Sequence, residues 1–564
     1  MSFYKGAHDL ANETRRRTGS NSSPLTNQNH NSQESLVRGS AWITAGSIFS
    51  RILGAVYIML WLPMIGNAET GNLANSLFGK GYNIYSVFLL ISTAGIPGAI
   101  AKQVAHYNTL NEYRVGQRLF KTGVKLMAIL GVISAAVMYF AAPLYAQSAP
   151  EIPVYRSLSA AILIIPFLSI IRGYFQGFNQ MAPSAVSQFV EQLARIIYLL
   201  GATFVIMEIQ HGHYTEAVVQ STFAAFIGAI FGILTLGWFY WRQRHDFQTL
   251  IANSNDDIKV STRDLIMDIV QQSIPFIILG SGIAIFQLID QYTFNQFMRH
   301  FVIASSRQLD IFFAIFNFNA NKLVMIVISF ASAMSVASIP LLSAAHARDD
   351  RKDMSRQIAN ILQLFLIIML PASFGVAAVA GPLYTLFYGY DLLGIHVLQV
   401  NAFTAILMGL FTVLAAILQG LYQNRAAMFY LIIGTAVKIV LQYPAIAIFK
   451  VYGPLISTAL GMLVTSALMI ESLYQVYHFK LEQTARRMLA ILIFSLIMFV
   501  VTIGVVHLFG LFLPETRKIY AAFILFVAVI IGGGVYAFLI LRTRLADRIL
   551  GTKIGGLRRR LHIQ

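Results

Sequence analysis

Apolar segments long enough to cross a bilayer as helices recur fourteen times along the 564 residues, separated mostly by short polar connections. They run over about 40–65, 82–104, 122–146, 157–176, 184–207, 217–241, 266–293, 311–343, 358–388, 397–421, 427–449, 452–477, 487–513 and 518–541. A hydrocarbon interior offers no partner to a bare N–H or C=O, so such segments must fold as helices that close their own hydrogen bonds. The expectation is an all-α integral membrane protein with fourteen transmembrane helices. Only 12% of the residues are charged, against about 25% in soluble domains, and mean hydropathy is +0.66. There is no cysteine, which excludes disulfides, thiolate metal sites and thiol nucleophiles.

A net charge of +17 raises the question of nucleic acid, and the placement of the basic residues answers it. With the N-terminus in the cytoplasm, 29 of the 41 Lys and Arg residues fall on the inner side. Seven fall outside: Lys80, Arg156, Arg299, Arg307, Lys450, Arg517 and Lys518. That bias is the positive-inside rule, with both termini cytoplasmic, and it leaves no need for a nucleic-acid partner. Residues 1–38, with Arg15 to Arg17 followed by a Ser/Asn-rich run, read as a disordered cytoplasmic tail. Residues 543–564 form a second, basic tail.

The remaining five basic residues, Arg51, Arg172, Arg195, Lys322 and Lys438, lie within spans. A charge at the bilayer centre costs at least about 2.5 kcal/mol, so each needs a partner or a purpose. Counting helical rise from the nearer end puts Arg51, Arg195, Lys322 and Lys438 roughly 16–18 Å deep, and Arg172 near an inner end where it can snorkel. In the first span Ser40, Thr44, Ser47, Arg51 and Gly54 follow steps of four and three, so a cation sits on a stripe of small polar residues that also allows close helix packing. Glu191 precedes Arg195 by four residues, the favourable order for an intrahelical pair. Such a pair neutralises itself, or releases Glu191 when a phosphate competes for Arg195. Lys322 stands among Asn317, Asn319 and Asn321, Lys80 is expected at the outer rim, and Asp290 is expected toward an interface. Pro97, Pro275 and Pro340 are expected to bend their helices.

The chain repeats itself. Gln176-Gly177-Phe178-Asn179-Gln180 returns as Gln419-Gly420-Leu421-Tyr422-Gln423, Ala142-Pro143-Leu144-Tyr145 as Gly381-Pro382-Leu383-Tyr384, and Gly95-Ile96-Pro97 as Ser338-Ile339-Pro340, at offsets of 239 to 243. A cation follows each leading glutamine by nineteen residues: Arg195, then Lys438. Gly434 stands where Glu191 would recur. Six spans per copy make a parallel repeat, with a substrate site between two rocking lobes. The expected domains are an N-lobe (39–241), a cytoplasmic linker (242–265), a C-lobe (266–477) and two added helices (478–542).

The segments SRILG from Ser50, GIPGAIAK from Gly95, RGYFQGFNQMAPSAVSQFVEQLARI from Arg172 and SIPLLS from Ser338 resemble the MOP exporter superfamily, over about residues 38–545. Within it they resemble the MurJ-type lipid II flippases and the related polysaccharide-biosynthesis branch. The resemblance implies a MATE-like V of two six-helix lobes, a lipid-facing groove formed with the two added helices, and a cationic cavity for a lipid-linked pyrophosphate sugar. It also implies the plasma membrane of a bacterium and contact with cell-wall synthesis machinery. By motif, Arg51 carries over as a cavity arginine, and Lys80 and Lys322 stand in for other family arginines, as point charges without the bidentate fork.

These readings lead to a flippase that moves an undecaprenyl-pyrophosphate-linked precursor, lipid II first, by alternating access. Arg51, Arg195, Lys322, Lys80 and Lys438 are the expected pyrophosphate-binding cations, Glu191 and Asp290 the ion-pair or coupling residues, and Ser47, Thr44 and Gly54 the supporting helix face. The alternatives are a flippase for capsule or exopolysaccharide repeat units and a MATE-type drug exporter, the latter disfavoured by the scarcity of intramembrane carboxylates. No nucleotide loop, zinc motif or nucleophile elbow occurs, so no enzymatic activity, cofactor or metal is expected. Na⁺, H⁺ and membrane potential stay open as the drive for the return step. Because the chain lacks cysteine, single substitutions test its orientation: Thr516→Cys reacts with an impermeant maleimide in intact cells, and Ser254→Cys only after permeabilisation.

Overall fold

The computed structural model describes residues 53–545, apart from 55, 94, 179, 256–261 and 480. Both tails, Arg51, Ser47, Thr44 and the middle of the linker lie outside the described residues. Within them the chain is helical and carries no strand.

The first half comprises α1 (Val56–Ile65), α2 (Ala68–Thr93), α3 (Ile96–Thr109), α4 (Tyr113–Phe140), α5 (Glu151–Gly177), α6 (Met181–Phe204), α7 (Tyr214–Arg242) and α8 (Arg244–Ala252). The second half holds α9 (Thr262–Gly280), α10 (Gly282–Met298), α11 (Ser306–Phe313), a π-helical turn (Ala314–Ala320), α12 (Asn321–Ala347), α13 (Arg351–Ala378), α14 (Ala380–Tyr388), α15 (Leu392–Gly420), α16 (Asn424–Phe449) and α17 (Gly453–Tyr477). Two further helices follow, α18 (Leu481–Gly510) and α19 (Lys518–Arg542).

Among the described residues eleven helical runs are long and apolar enough to cross a membrane, or twelve with the bent pair α9–α10 taken as one span. One of these runs, Asn424–Tyr477, turns at Lys450, whose φ is +52°, into α16 and α17 packed on each other. The expected first span, 40–65, lies mostly outside the described residues, so the count of fourteen is not fixed by them.

Three expected spans are corrected in detail. The second begins at Ala68 rather than about 82, because the polar residues Asn75, Lys80 and Asn83 that lower its hydropathy are buried against the second half. It breaks at Gly95, whose φ of +78° is left-handed, just before Pro97 enters the first turn of α3. The seventh bends by 45° at Ser281, between Gly280 and Gly282, with Pro275 inside α9. Pro340 likewise lies inside α12, which runs on to Ala347.

The largest apolar core lies in the second half and takes in Ile491 of α18 and Ile540 and Leu541 of α19, while the first half has its own core around Trp61, Tyr155 and Leu158. Trp61 Nε1 donates to Thr203 Oγ1 and Ser221 Oγ, both at 3.0 Å, tying α1 to α6 and α7. The last two helices are part of the packed body: α18 lies on α13, α19 on α18 and α14, and Tyr536 Oη donates to Ile367 O at 2.7 Å. Helix α2 belongs to both halves, packing on α5 and α7 on one side and on α10, α11 and the π turn on the other. Phe318 of the second half joins the core of the first, where Gly79 admits it: a Cβ there would stand 3.3 Å from the ring.

Between α16 and α17 a glycine crossing sets the distance. A Cβ on Gly434 would overlap Thr465 and stand 2.6 Å from Gly461 O, and one on Gly461 would stand 2.8 Å from Gly434 O. Gly434→Leu should therefore lower the thermal unfolding temperature of the purified protein, through overpacking of about 1–3 kcal/mol. Gly504→Leu, whose Cβ meets nothing within 4 Å, should leave it unchanged.

Candidate functional site

A cavity of about 400 Å³ opens between the halves, walled by α2 and α6 from the first and by α10, the π turn and α12 from the second, with Gly54 and Tyr57 at its side. Among the described residues its lining carries two cations, Arg195 and Lys322, and no Asp or Glu. Asn83, Gln192, Gln287, Asn317 and Asn321 supply neutral polar groups, and Tyr57, Phe78, Tyr82 and Phe318 supply aromatic surface.

Lys322 Nζ donates to Tyr57 Oη at 2.7 Å. It lies 4.4 Å from the Tyr57 ring centre, 4.9 Å from that of Phe318 and 5.5 Å from that of Phe78. The Arg195 guanidinium lies 5.3 Å from the Tyr82 ring centre. Neither has a carboxylate partner among the described residues. Aromatic faces offset part of the cost of an enclosed cation, but they leave its charge uncancelled.

The π turn aims Lys322. Its wider winding is held by side chains that bind across the two halves: Asn83 Nδ2 donates to Asn317 Oδ1 and Gln291 Oε1, both at 3.0 Å. Asn75 Nδ2 donates to Asn319 Oδ1 at 2.7 Å, and Asn319 Nδ2 donates to Asn72 Oδ1 at 2.9 Å and Tyr384 Oη at 3.0 Å. Of the expected asparagine cluster, Asn317 and Asn321 reach the cavity while Asn319 is spent on this seam.

The other sequence candidates go elsewhere. Lys80, expected on the rim, is 4% exposed and binds Glu151 at 3.1 Å and Asp310 at 2.9 Å, so its charge is already cancelled and it does not line the cavity. Lys438 is buried inside the second half on Asp290 at 2.7 Å, which places Asp290 in the interior rather than at an interface. Glu191 does not pair with Arg195. It accepts from Arg172 Nη2 at 2.7 Å, and Arg172, expected to snorkel, also donates to Ser187 Oγ at 2.8 Å. The neighbouring helix α5 offers Glu191 a half-enclosed partner, which outcompetes the weak i,i+4 contact on its own helix and frees Arg195 to turn toward α2. Gly54 does line the cavity, where a Cβ would meet Gln192 Nε2 at 3.3 Å. Arg51, Thr44 and Ser47 lie outside the described residues.

Sequence reasoning missed Tyr57, Tyr82 and Gln192. Their signal was faint, since aromatic residues abound in every span and one glutamine on an otherwise apolar face reads as packing. No group of three or more His, Asp or Glu suited to a metal occurs among the described residues.

A family model described as polysaccharide biosynthesis protein matches residues 36–346, and a MatE model matches residues 319–444. The lipid II flippase MurJ of Bacillus subtilis (strain 168) is 33% identical over 545 residues, covering 92% of this chain and 98% of that one. Among solved structures, a lipid II flippase MurJ in an inward closed conformation superposes with a TM-score of 0.56 at 14% identity, covering 90% of this chain and 99% of that one. A MATE transporter in the straight conformation gives a TM-score of 0.57 at 15% identity, covering 81% of this chain and 96% of that one. At those identities the two structures speak for the fold.

The exchanged ion pair is open to measurement. In thermal unfolding, Glu191→Gln and Arg172→Gln should couple by about 1 kcal/mol or more, whereas Glu191→Gln and Arg195→Gln should add.

Proposed function

The chain belongs to the family of polysaccharide-biosynthesis membrane proteins that the MurJ flippase of Bacillus subtilis represents at 33% identity, and on that footing we propose that it is itself a lipid II flippase. It is a multi-pass membrane transporter rather than an enzyme. The observation that carries the reading is the cavity with two cations, one from each half, that have no carboxylate partner among the described residues, and with no carboxylate in its described lining. A pyrophosphate is the complement of that arrangement: it carries several negative charges on oxygens that accept from guanidinium and ammonium donors.

Arg195 on α6 and Lys322 on α12 would hold the pyrophosphate between them, with Asn83, Gln192 and Gln287 for the sugar nearest the phosphate. The undecaprenyl tail stays in the bilayer. Because the two cations sit on opposite halves, an anion between them offsets their mutual repulsion and draws the halves together around itself. Ion pairs hold the halves at one end of the seam: Lys80 of α2 to Asp310 of α11, and Glu69 of α2 to Arg307 of α11 at 2.7 Å. By the positive-inside count that end would lie outside, with both termini cytoplasmic, and the likeness to the Bacillus subtilis flippase supports the plasma membrane of a bacterium. The cavity would then load from the inner leaflet, and parting of these pairs would release cargo to the outer one and to the cell-wall synthesis machinery there.

In cells whose only lipid II flippase is this protein, Arg195→Ala and Lys322→Ala should each lower outer-leaflet lipid II by about 10-fold or more at unchanged protein abundance, since each removes a charge-assisted contact of about 1.5–3 kcal/mol. Normal outer-leaflet lipid II with both variants overturns the proposal, and loss of capsule with intact cell-wall synthesis would transfer the cavity to another lipid-linked glycan.

A further inference from the structure

Lys438 has a side chain of 0% exposure, and its ammonium is ringed by five oxygens from three helices. Asp290 Oδ1 of α10 and Thr458 Oγ1 of α17 stand at 2.7 Å. Gln442 Oε1 of α16 and Pro454 O and Ser457 Oγ of α17 stand at 3.4 Å. The shell is itself held rigid: Gln442 Nε2 donates to Asp290 Oδ1 at 2.9 Å and to Thr293 Oγ1 at 3.1 Å, which turns Gln442 Oε1 toward the ammonium, and Ser457 Oγ donates to that same oxygen. The Phe286 ring lies 5.5 Å away on another side. An ammonium has three hydrogens to donate, so five converging oxygens are more than its hydrogen bonds require. One carboxylate, one backbone carbonyl and neutral side-chain oxygens are the donor set of a hard monovalent cation.

We propose that this shell is a monovalent-cation site whose cation is built into the chain: the Lys438 ammonium stands where a dissolved Na⁺ would be coordinated, so the shell is charge-balanced without one and takes up no Na⁺. The repeat agrees. The offset of 243 that aligns Gln176 with Gln419 aligns Arg195 with Lys438 and Ser47 with Asp290. The first copy thus has no acid at the position that captures the second copy's cation, and its Arg195 faces the cavity instead. The duplicated cation has taken two jobs, one toward an arriving anion and one as an internal counter-ion. The site reaches the cavity through α10, where Asp290 lies between Gln287 on the cavity wall and Gln291 on the seam between halves.

The experiment is thermal unfolding of the purified full chain in NaCl and in choline chloride of equal ionic strength, a readout that involves no cargo and is independent of the flippase reading. The wild type should unfold at the same temperature in both salts. Lys438→Ala, which vacates the shell and leaves Asp290 unpaired, should unfold earlier in choline and recover by about 2–4 °C in Na⁺. Lys438→Ala with Asp290→Asn, which removes both charges, should be indifferent to the salt. Saturable stabilisation of the wild type by Na⁺ overturns the proposal. So does a folded Lys438→Ala that ignores Na⁺, or one that folds in neither salt while the double variant folds.

Discussion

A cation inside a membrane protein must be cancelled close at hand, because the low-dielectric surroundings make desolvation cost several kcal/mol per ion. The helices are arranged around that requirement. Arg172–Glu191 ties α5 to α6, Lys438–Asp290 ties α16 to α10, and Lys80 ties α2 both to Glu151 at the start of α5 and to Asp310 on α11. Removing one partner from either of the first two pairs leaves a bare charge, so they are constraints on where helices sit more than sources of net stability. Against that background Arg195 and Lys322 stand out, because the fold brings them to one cavity with no described carboxylate in its walls. Among the described residues no carboxylate cancels them, and in the proposed function the cargo's pyrophosphate would do so.

The same economy explains the seam between the halves. Helix α2 is too polar to face lipid along its length, and it does not: Asn75, Lys80 and Asn83 are satisfied by residues of the opposite half. The π turn before Lys322 is pinned by Asn317 and Asn319 on that seam, so a change in how the halves meet must also change how Lys322 is presented. In the proposed function, binding an anion and moving the halves would thus share the same side chains. An anion can shift the equilibrium between arrangements of the halves only by as much as it favours one of them, and two cations on opposite walls supply that preference.

Much of this was legible from residues alone. Long apolar runs made the helices inescapable. Segments such as SQFVEQLARI pointed to the family. Arg195 and Lys322, which line the cavity, were legible as candidates because a charge within a span is costly enough to need a reason. Less visible were the start of α2 at Ala68 and the bend at Ser281, where local hydropathy and the proline rule each point elsewhere.

By itself, then, the sequence determined the class of fold and the family, since these follow from hydropathy, spacing and motif, which are local properties of the chain. Only the tertiary structure decided which charge meets which. Glu191 lies one turn from Arg195 yet binds Arg172, and Lys438 is the repeat partner of Arg195 yet is enclosed by Asp290 and four other oxygens. The reason is physical: a rotation of a helix by a fraction of a turn moves a side chain from a lipid face to a seam or a cavity, and that rotation is set by how all the neighbouring helices pack.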